Sequence, residues 1–153
     1  MAINVRTKGQ EGEREIAKIL NGIVRDVRIS LKLPVYETND ELFQRNQNQS
    51  AVGGADLSNP MGLEIEIKRQ EQLSVNTWWK QCVTSADRTK GIPILMFRQN
   101  RKAWRICMEA DIPLQAAGSS SYSSLGPCRV EIDLDTFKAW FKSYYTKWVG
   151  THG

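Results

Sequence analysis

The sequence predicts an α/β fold in which a central mixed β-sheet is flanked by helices. Three observations carry that prediction. Apolar residues recur at helical spacing over residues 10–23 and 74–88, apolar and charged residues alternate from Leu63 to Lys68, and an almost wholly apolar run covers Ile94 to Phe97. At 153 residues the chain reads as one domain that can bury a core without staples. A formal net charge of +4 and a pI near 9.0 point weakly to a polyanionic partner, because Lys and Arg gain most where they release counterions from phosphates. Cys82, Cys107 and Cys128 are widely spaced and odd in number, which fits reduced thiols and argues against a disulfide framework or a zinc site. No apolar run has the length of a membrane span and the N-terminus lacks a signal-peptide core, so the expected location is cytoplasmic.

In chain order, Gln10 to Ile23 is expected as the first helix, with Thr7 as a cap and Glu11, Glu13 and Glu15 near its positive end. Ile16, Ala17, Leu20 and Ile23 form its apolar stripe, and counting back from Ile16, Ala17 and Leu20 places Glu13 on the same stripe. A core-facing glutamate is costly unless something pairs with it. Glu13 is therefore either a third carboxylate aimed at a functional site or a residue one turn ahead of burial that favours the helix N-terminus. Val24 to Leu33 alternates Val27, Ile29, Leu31 and Leu33 with polar residues and is expected as a strand closed by Pro34. Residues 36–52 read as a polar surface insert in which Arg45 and the amides are candidate phosphate contacts.

The centre of the chain is Gly53-Gly54-Ala55-Asp56-Leu57, a turn at residues 58–62, and the strand Leu63-Glu64-Ile65-Glu66-Ile67-Lys68. Alternation sends Leu63, Ile65 and Ile67 to one face and Glu64, Glu66 and Lys68 to the other. Two short antiparallel strands would return Asp56 beside Glu66. Converging carboxylates repel, and the remedies are a shared proton or a hard divalent cation. With Lys68 alongside, the cation is the favoured remedy. An acid-x-Lys triplet on the wet side of a sheet is the bland alternative.

Ser74 to Arg88 is expected as the second helix, its core stripe running through Val75, Trp78, Trp79, Cys82, Val83 and Ala86, with Gln81 at the edge. Ile94 to Phe97 is expected as a central strand. A basic turn, Gln99 to Lys102, leads to a strand over residues 103–108, and Arg98, Arg101, Lys102 and Arg105 make the densest basic cluster. Residues 118–124 read as a Gly/Ser loop, 129–132 as a short strand, and Asp133 or Asp135 as the cap of a final helix carrying Phe137, Trp140, Phe141, Tyr144 and Trp148. That aromatic stripe is either core or a dimer seam. His152 is expected in a frayed tail without a role.

A first helix opening Lys8-Gly9-x-x-Gly12-Glu13-Arg14-Glu15, then Asp56, then Glu66-Ile67-Lys68, then a helix and two strands, resembles the PD-(D/E)XK nuclease superfamily over about residues 8–108. Within it the chain is most similar to archaeal-type and phage Holliday-junction resolvases. The resemblance implies a restriction-endonuclease-like core with 109–153 appended as a loop, a short strand and the aromatic helix. It further implies Mg²⁺, with Mn²⁺ able to substitute, bound by Asp56, Glu66 and the Ile67 carbonyl, with Glu13 acting through a water and Lys68 orienting or deprotonating the attacking water. Candidate DNA contacts are Arg14, Arg45, Gln81, Arg98, Arg101 and Lys102, the substrate would be branched DNA, and the working form would be a homodimer. A nuclease acting on ordinary duplex and a non-catalytic DNA-binding module are the alternatives. Ala55 stands where the family's proline usually precedes the acid.

Overall fold

The computed structural model describes residues 5–46, 55–114 and 124–152. Gly53, Gly54 and most of the expected Gly/Ser loop lie outside them. A helix α1 (Val5–Ser30) and two-residue strands β1 (Gln44–Arg45) and β2 (Leu57–Ser58) precede β3 (Leu63–Arg69). Helix α2 (Val75–Thr89), strands β4 (Ile92–Arg98), β5 (Arg105–Pro113) and β6 (Ser124–Asp133), and helix α3 (Leu134–His152) complete the chain. The main sheet has the order β3-β4-β5-β6, with β3 and β4 parallel and the other pairs antiparallel. β1 and β2 pair separately. The expected mixed sheet flanked by helices is the observed architecture.

Alternation in β3 divides the interior as the sequence predicts. Leu63, Ile65 and Ile67 join the large core with Ile16, Leu20 and Val24 of α1 and Phe137, Phe141 and Tyr145 of α3. Opposite them, Trp78 and Cys82 of α2 pack on Leu95, Phe97 and Cys107. β4 lies between β3 and β5, and with Ile94 and Met96 in the core shared with α1 and α3 and Leu95 and Phe97 against α2, its residues from Pro93 to Phe97 are buried. A continuous apolar run is what such a position requires.

The largest correction concerns residues 24–33, which continue α1 as far as Ser30 and do not form a strand. The segment satisfies both periods, since Leu20, Val24 and Val27 extend the helical stripe that Ile16 begins and all four are buried. Ile29 and Leu31, half of the alternating set, are left 54% and 45% exposed. Asn21-Gly22 resembles a turn signal but sits inside the helix, because the Asn21 amide donates to the Phe43 carbonyl and accepts from the Phe43 N–H. Those bonds satisfy a buried polar side chain and tie the 38–45 segment to α1. The helix ends where Lys32 takes a left-handed conformation (φ 58°) and the Leu33 N–H donates to the Arg28 carbonyl, a Schellman-type stop before Pro34. Thr7 is likewise not a cap, since α1 starts at Val5.

Smaller corrections follow. β6 is ten residues long where four were expected. In α3 the fully covered ring positions are Phe137, Phe141 and Tyr145, while Trp140, Tyr144 and Trp148 are half-buried at the margin of the core. Phe137 and Phe141 of the aromatic stripe are thus core, and Trp140, Tyr144 and Trp148 border it. Asp133 makes the cap-like bond, its Oδ1 accepting from the Thr136 N–H at 2.7 Å. His152 belongs to the last turn of α3 and stacks on Trp148.

Candidate active site

Asp56 is placed by backbone bonds on the open edge of β3. Its N–H donates to the Ile65 carbonyl at 2.9 Å, and its Oδ2 accepts from the Ile67 N–H at 2.6 Å. The turn that makes this return possible is built by Asn59, whose Oδ1 accepts from the Met61 and Leu63 N–H groups while its amide donates to the Leu63 carbonyl. Gly62, at φ +75°, supplies the left-handed residue. Asn46 steadies the other side through bonds to the carbonyls of Asp56 and Ala55.

The consequence is a carboxyl pair. Asp56 is 8% exposed, and its carboxyl acts directly on that of Glu66. Burial first, and the Asp56 charge second, push the Glu66 carboxyl up to about 8, although Lys68 pulls it the other way. Two oxygen-rich groups held this close in a sheltered place need a proton or a cation between them. Their donor chemistry suits a hard ion such as Mg²⁺, which binds through one or two carboxylates and keeps several waters. The Ile67 N–H points to the Asp56 edge, and a residue in an extended strand directs its carbonyl to the same edge. Ile67 therefore offers a third oxygen, in keeping with a cation there.

Glu13 approaches from α1. It is half-buried, its Oε2 accepts from Arg45 Nε at 2.8 Å, and burial raises its pKa, with Arg45 opposing and Asp56 reinforcing that shift. Among the described residues no three acidic, histidine or cysteine side chains form a ready metal cage, consistent with Glu13 engaging Arg45. Helix and strand come this close because residue 12 is glycine. A Cβ there would lie 3.1 Å from the Arg69 side chain and 3.2 Å from Ile67 Cγ2. An interior helical glycine costs about 1 kcal/mol relative to alanine, and at Gly12 close packing offsets it.

A cleft of about 670 Å³ opens here, lined by Glu13, Asp56, Ile67 and Lys68 together with Arg14 and Arg45. Glu66 is not part of its lining and reaches it through Asp56. The lining also includes Asn46, one of the insert's amides, and Arg6, Gln10, Arg69 and Gln70, to which the sequence reading gave no role. Arg69 had a visible signal, being the next residue after Lys68. It pairs with Glu11 at 3.3 Å.

Other candidate DNA contacts sit elsewhere. Gln81 is exposed on α2 and does not line the cleft. Arg98 is bound to Glu15 at 3.2 Å, with its guanidinium over the Trp104 ring, and Trp104 Nε1 donates to the same Glu15 oxygen. Arg101 and Lys102 are exposed in the β4–β5 turn. That turn is tied to Glu71, just beyond β3, by Gln99 and Asn100.

No curated protein and no solved structure matches the chain. A family model does, over residues 4–150. That span holds α1 with Glu13, the Asp56 return, the Glu66-x-Lys68 strand and the following helix and hairpin, and on it the chain belongs to the PD-(D/E)XK nucleases, in the family described as "Phage putative PDDEXK endonuclease".

Proposed function

We propose that this endonuclease is a divalent-metal-dependent enzyme that hydrolyses phosphodiester bonds in branched DNA. The observation that carries the metal-dependent part is the meeting of buried Asp56, in the wall of an open cleft, with the half-buried Glu66 two residues before Lys68. Asp56, Glu66 and the Ile67 carbonyl would hold Mg²⁺ or Mn²⁺, with Glu13 supporting the site through a water. When bound, the cation neutralises the scissile phosphate and stabilises the charge that develops on the leaving oxygen.

The chain's own residues supply the rest. Lys68, on the same face of β3 as Glu66, orients the attacking water and takes up or returns its proton. Arg45 holds Glu13 at the cleft wall through an ion pair of 2.8 Å. Arg14 and Arg45 line the cleft and offer charge to flanking phosphates without reading bases. Attack by water leaves a 5′-phosphate and a 3′-hydroxyl.

Branched DNA is supported by the Gly-x-x-Gly-Glu-Arg-Glu opening of α1, which is similar to that of junction resolvases. Each chain has one such site, and a four-way junction needs two symmetrical cuts, so a two-fold dimer is the form this reading requires. The test is cleavage of a labelled four-way junction against linear duplex and single strands of matched sequence, with Mg²⁺, Mn²⁺ or EDTA, for wild type and Asp56→Asn. Paired metal-dependent cuts confined to the junction and lost in the variant support the proposal. Equal cutting of plain duplex replaces it with a general nuclease. Binding without cutting under any metal leaves a DNA-binding module.

A further inference from the structure

Helix α1 carries a second concavity that begins where the catalytic cleft ends. It has a volume of about 600 Å³ and lies between α1 and the 38–45 segment. Arg14 and Arg45 line both spaces, so the two are adjacent. Beyond them the groove is lined by Lys18 and Arg25, which makes four cations against one carboxylate, Glu41. Its far wall is not left to chance, because the paired bonds between Asn21 and the Phe43 backbone fix that segment on the helix.

Glycine gives an independent observation. Of the three glycines in α1, Gly12 is explained by its contact with Ile67 and Arg69. Gly22 is not, since a Cβ there would meet nothing within 4 Å, and its position deep in the helix is one that disfavours glycine. Gly22 lines the groove, between Lys18 and Arg25. Gly9 has the same open surroundings and lines the catalytic cleft. Gly150 is also open but sits in the last turn of α3, where glycine is ordinary. Gly22 leaves the helix surface bare between Lys18 and Arg25, where another backbone can come close.

We propose that this groove carries the sugar–phosphate backbone of DNA away from the cleaved bond, with Arg14, Lys18 and Arg25 as phosphate contacts and Gly22 as the point of closest approach. Arg14 to Arg25 spans about 16 Å of helix, and one strand of a duplex advances about 3.4 Å per nucleotide. The track therefore accompanies roughly five nucleotides on one side of the cut. It positions the substrate without reading sequence. The proposal rests on the nuclease reading for its substrate, and its test separates the two.

Binding of a fluorescein-labelled linear duplex is measured in EDTA, where no cleavage occurs, across about 50 to 200 mM salt. For Lys18→Ala/Arg25→Ala, Kd is expected to rise about tenfold and the slope of log K against log salt to fall by about 1.8, the loss of two phosphate contacts. Lys142→Ala/Lys147→Ala, an equal charge change on α3, is expected to leave the slope unchanged. Gly22→Gln is expected to weaken binding while raising Tm by about 2–4 °C, a combination that a purely structural glycine does not produce. Wild-type slope and Kd in the α1 double variant, or no duplex binding by wild type at low salt, overturns the groove. A parallel arm with Mg²⁺ reads cleavage. Wild type that binds through the groove yet cuts nothing overturns the nuclease reading and leaves the groove standing.

Discussion

Glu64 and Glu66 stand two residues apart on the same face of β3, and their surroundings give them opposite tasks. Glu64 is satisfied by α2: Ser85 Oγ donates to its Oε2 at 3.0 Å and Thr89 Oγ1 to its Oε1 at 2.8 Å. Glu66 meets another carboxyl, and burial plus that neighbour hold its pKa near 8. A glutamate met by hydroxyls is an anchor for a helix. A glutamate met by an acid holds a proton to higher pH. Residue type, strand and face are the same for both; in the sequence the lysine two places on marks Glu66, and in the fold the partners brought by the rest of the chain separate them.

The comparison can be broken most severely at Glu66. Glu66→Gln, Asp56→Asn or Lys68→Ala should lower cleavage in a labelled-DNA assay by roughly 10³-fold or more, because a bound cation and its water contribute several kcal/mol. Circular dichroism should show all three folded. Normal cutting by any of them would remove the site assignment.

Glu64→Ala should do the reverse. It leaves the buried Ser85 hydroxyl without its partner and should cost about 2 kcal/mol of stability in urea unfolding. Cleavage should stay near the wild-type rate at temperatures where the variant is folded. A dead but stable Glu64→Ala would mean that both glutamates serve the reaction.

The pH dependence sharpens the contrast. The folded-state pKa of Glu66 is raised to about 8 from an ordinary value of 4.5. Between these pH values the unfolded chain has released a proton that the native chain keeps, so stability falls as pH rises through that window. Glu13, also raised by burial, adds to the same trend. In EDTA, Tm should drop by about 5 °C or more from pH 5 to pH 8. Glu66→Gln should flatten the curve, and Mg²⁺ should restore Tm at pH 8 by binding the native pair.

The smallest effect is expected at Arg45. Arg45→Ala removes one charge-assisted bond from Glu13 and should lower kcat by about tenfold, with Arg45→Lys recovering part of the loss. A loss as large as that of Glu66→Gln would make Arg45 part of the reaction itself.

Much of this site was legible before any coordinates. Alternation at 63–68 assigns the faces of β3, the count back from Ile16 and Leu20 puts Glu13 on the inner stripe, and both readings hold. Residues 24–33 misled because Val27, Ile29, Leu31 and Leu33 fit a strand while Leu20, Val24 and Val27 fit a helix. The Asn21–Phe43 bonds, which tie this part of α1 to the 38–45 segment, have no local signal in the sequence. The role of Gly12 was invisible, since it depends on Ile67 and Arg69, more than fifty residues away. So was the split of the basic residues, in which Arg45 and Arg14 reach the cleft while Arg98 is held by Glu15 and Trp104.

By itself the sequence determined the sheet with helices on its flanks, the charged rib of β3 and the order of acid, acid and lysine, because periodicity and motif spacing are local properties of the chain. Only the tertiary structure decided that Glu64 is anchored by α2, where α1 ends, and that α1 borders a basic groove beside the site. Those outcomes depend on burial and on partners far off in sequence, and the energy of a carboxylate is set by its surroundings more than by its neighbours along the chain.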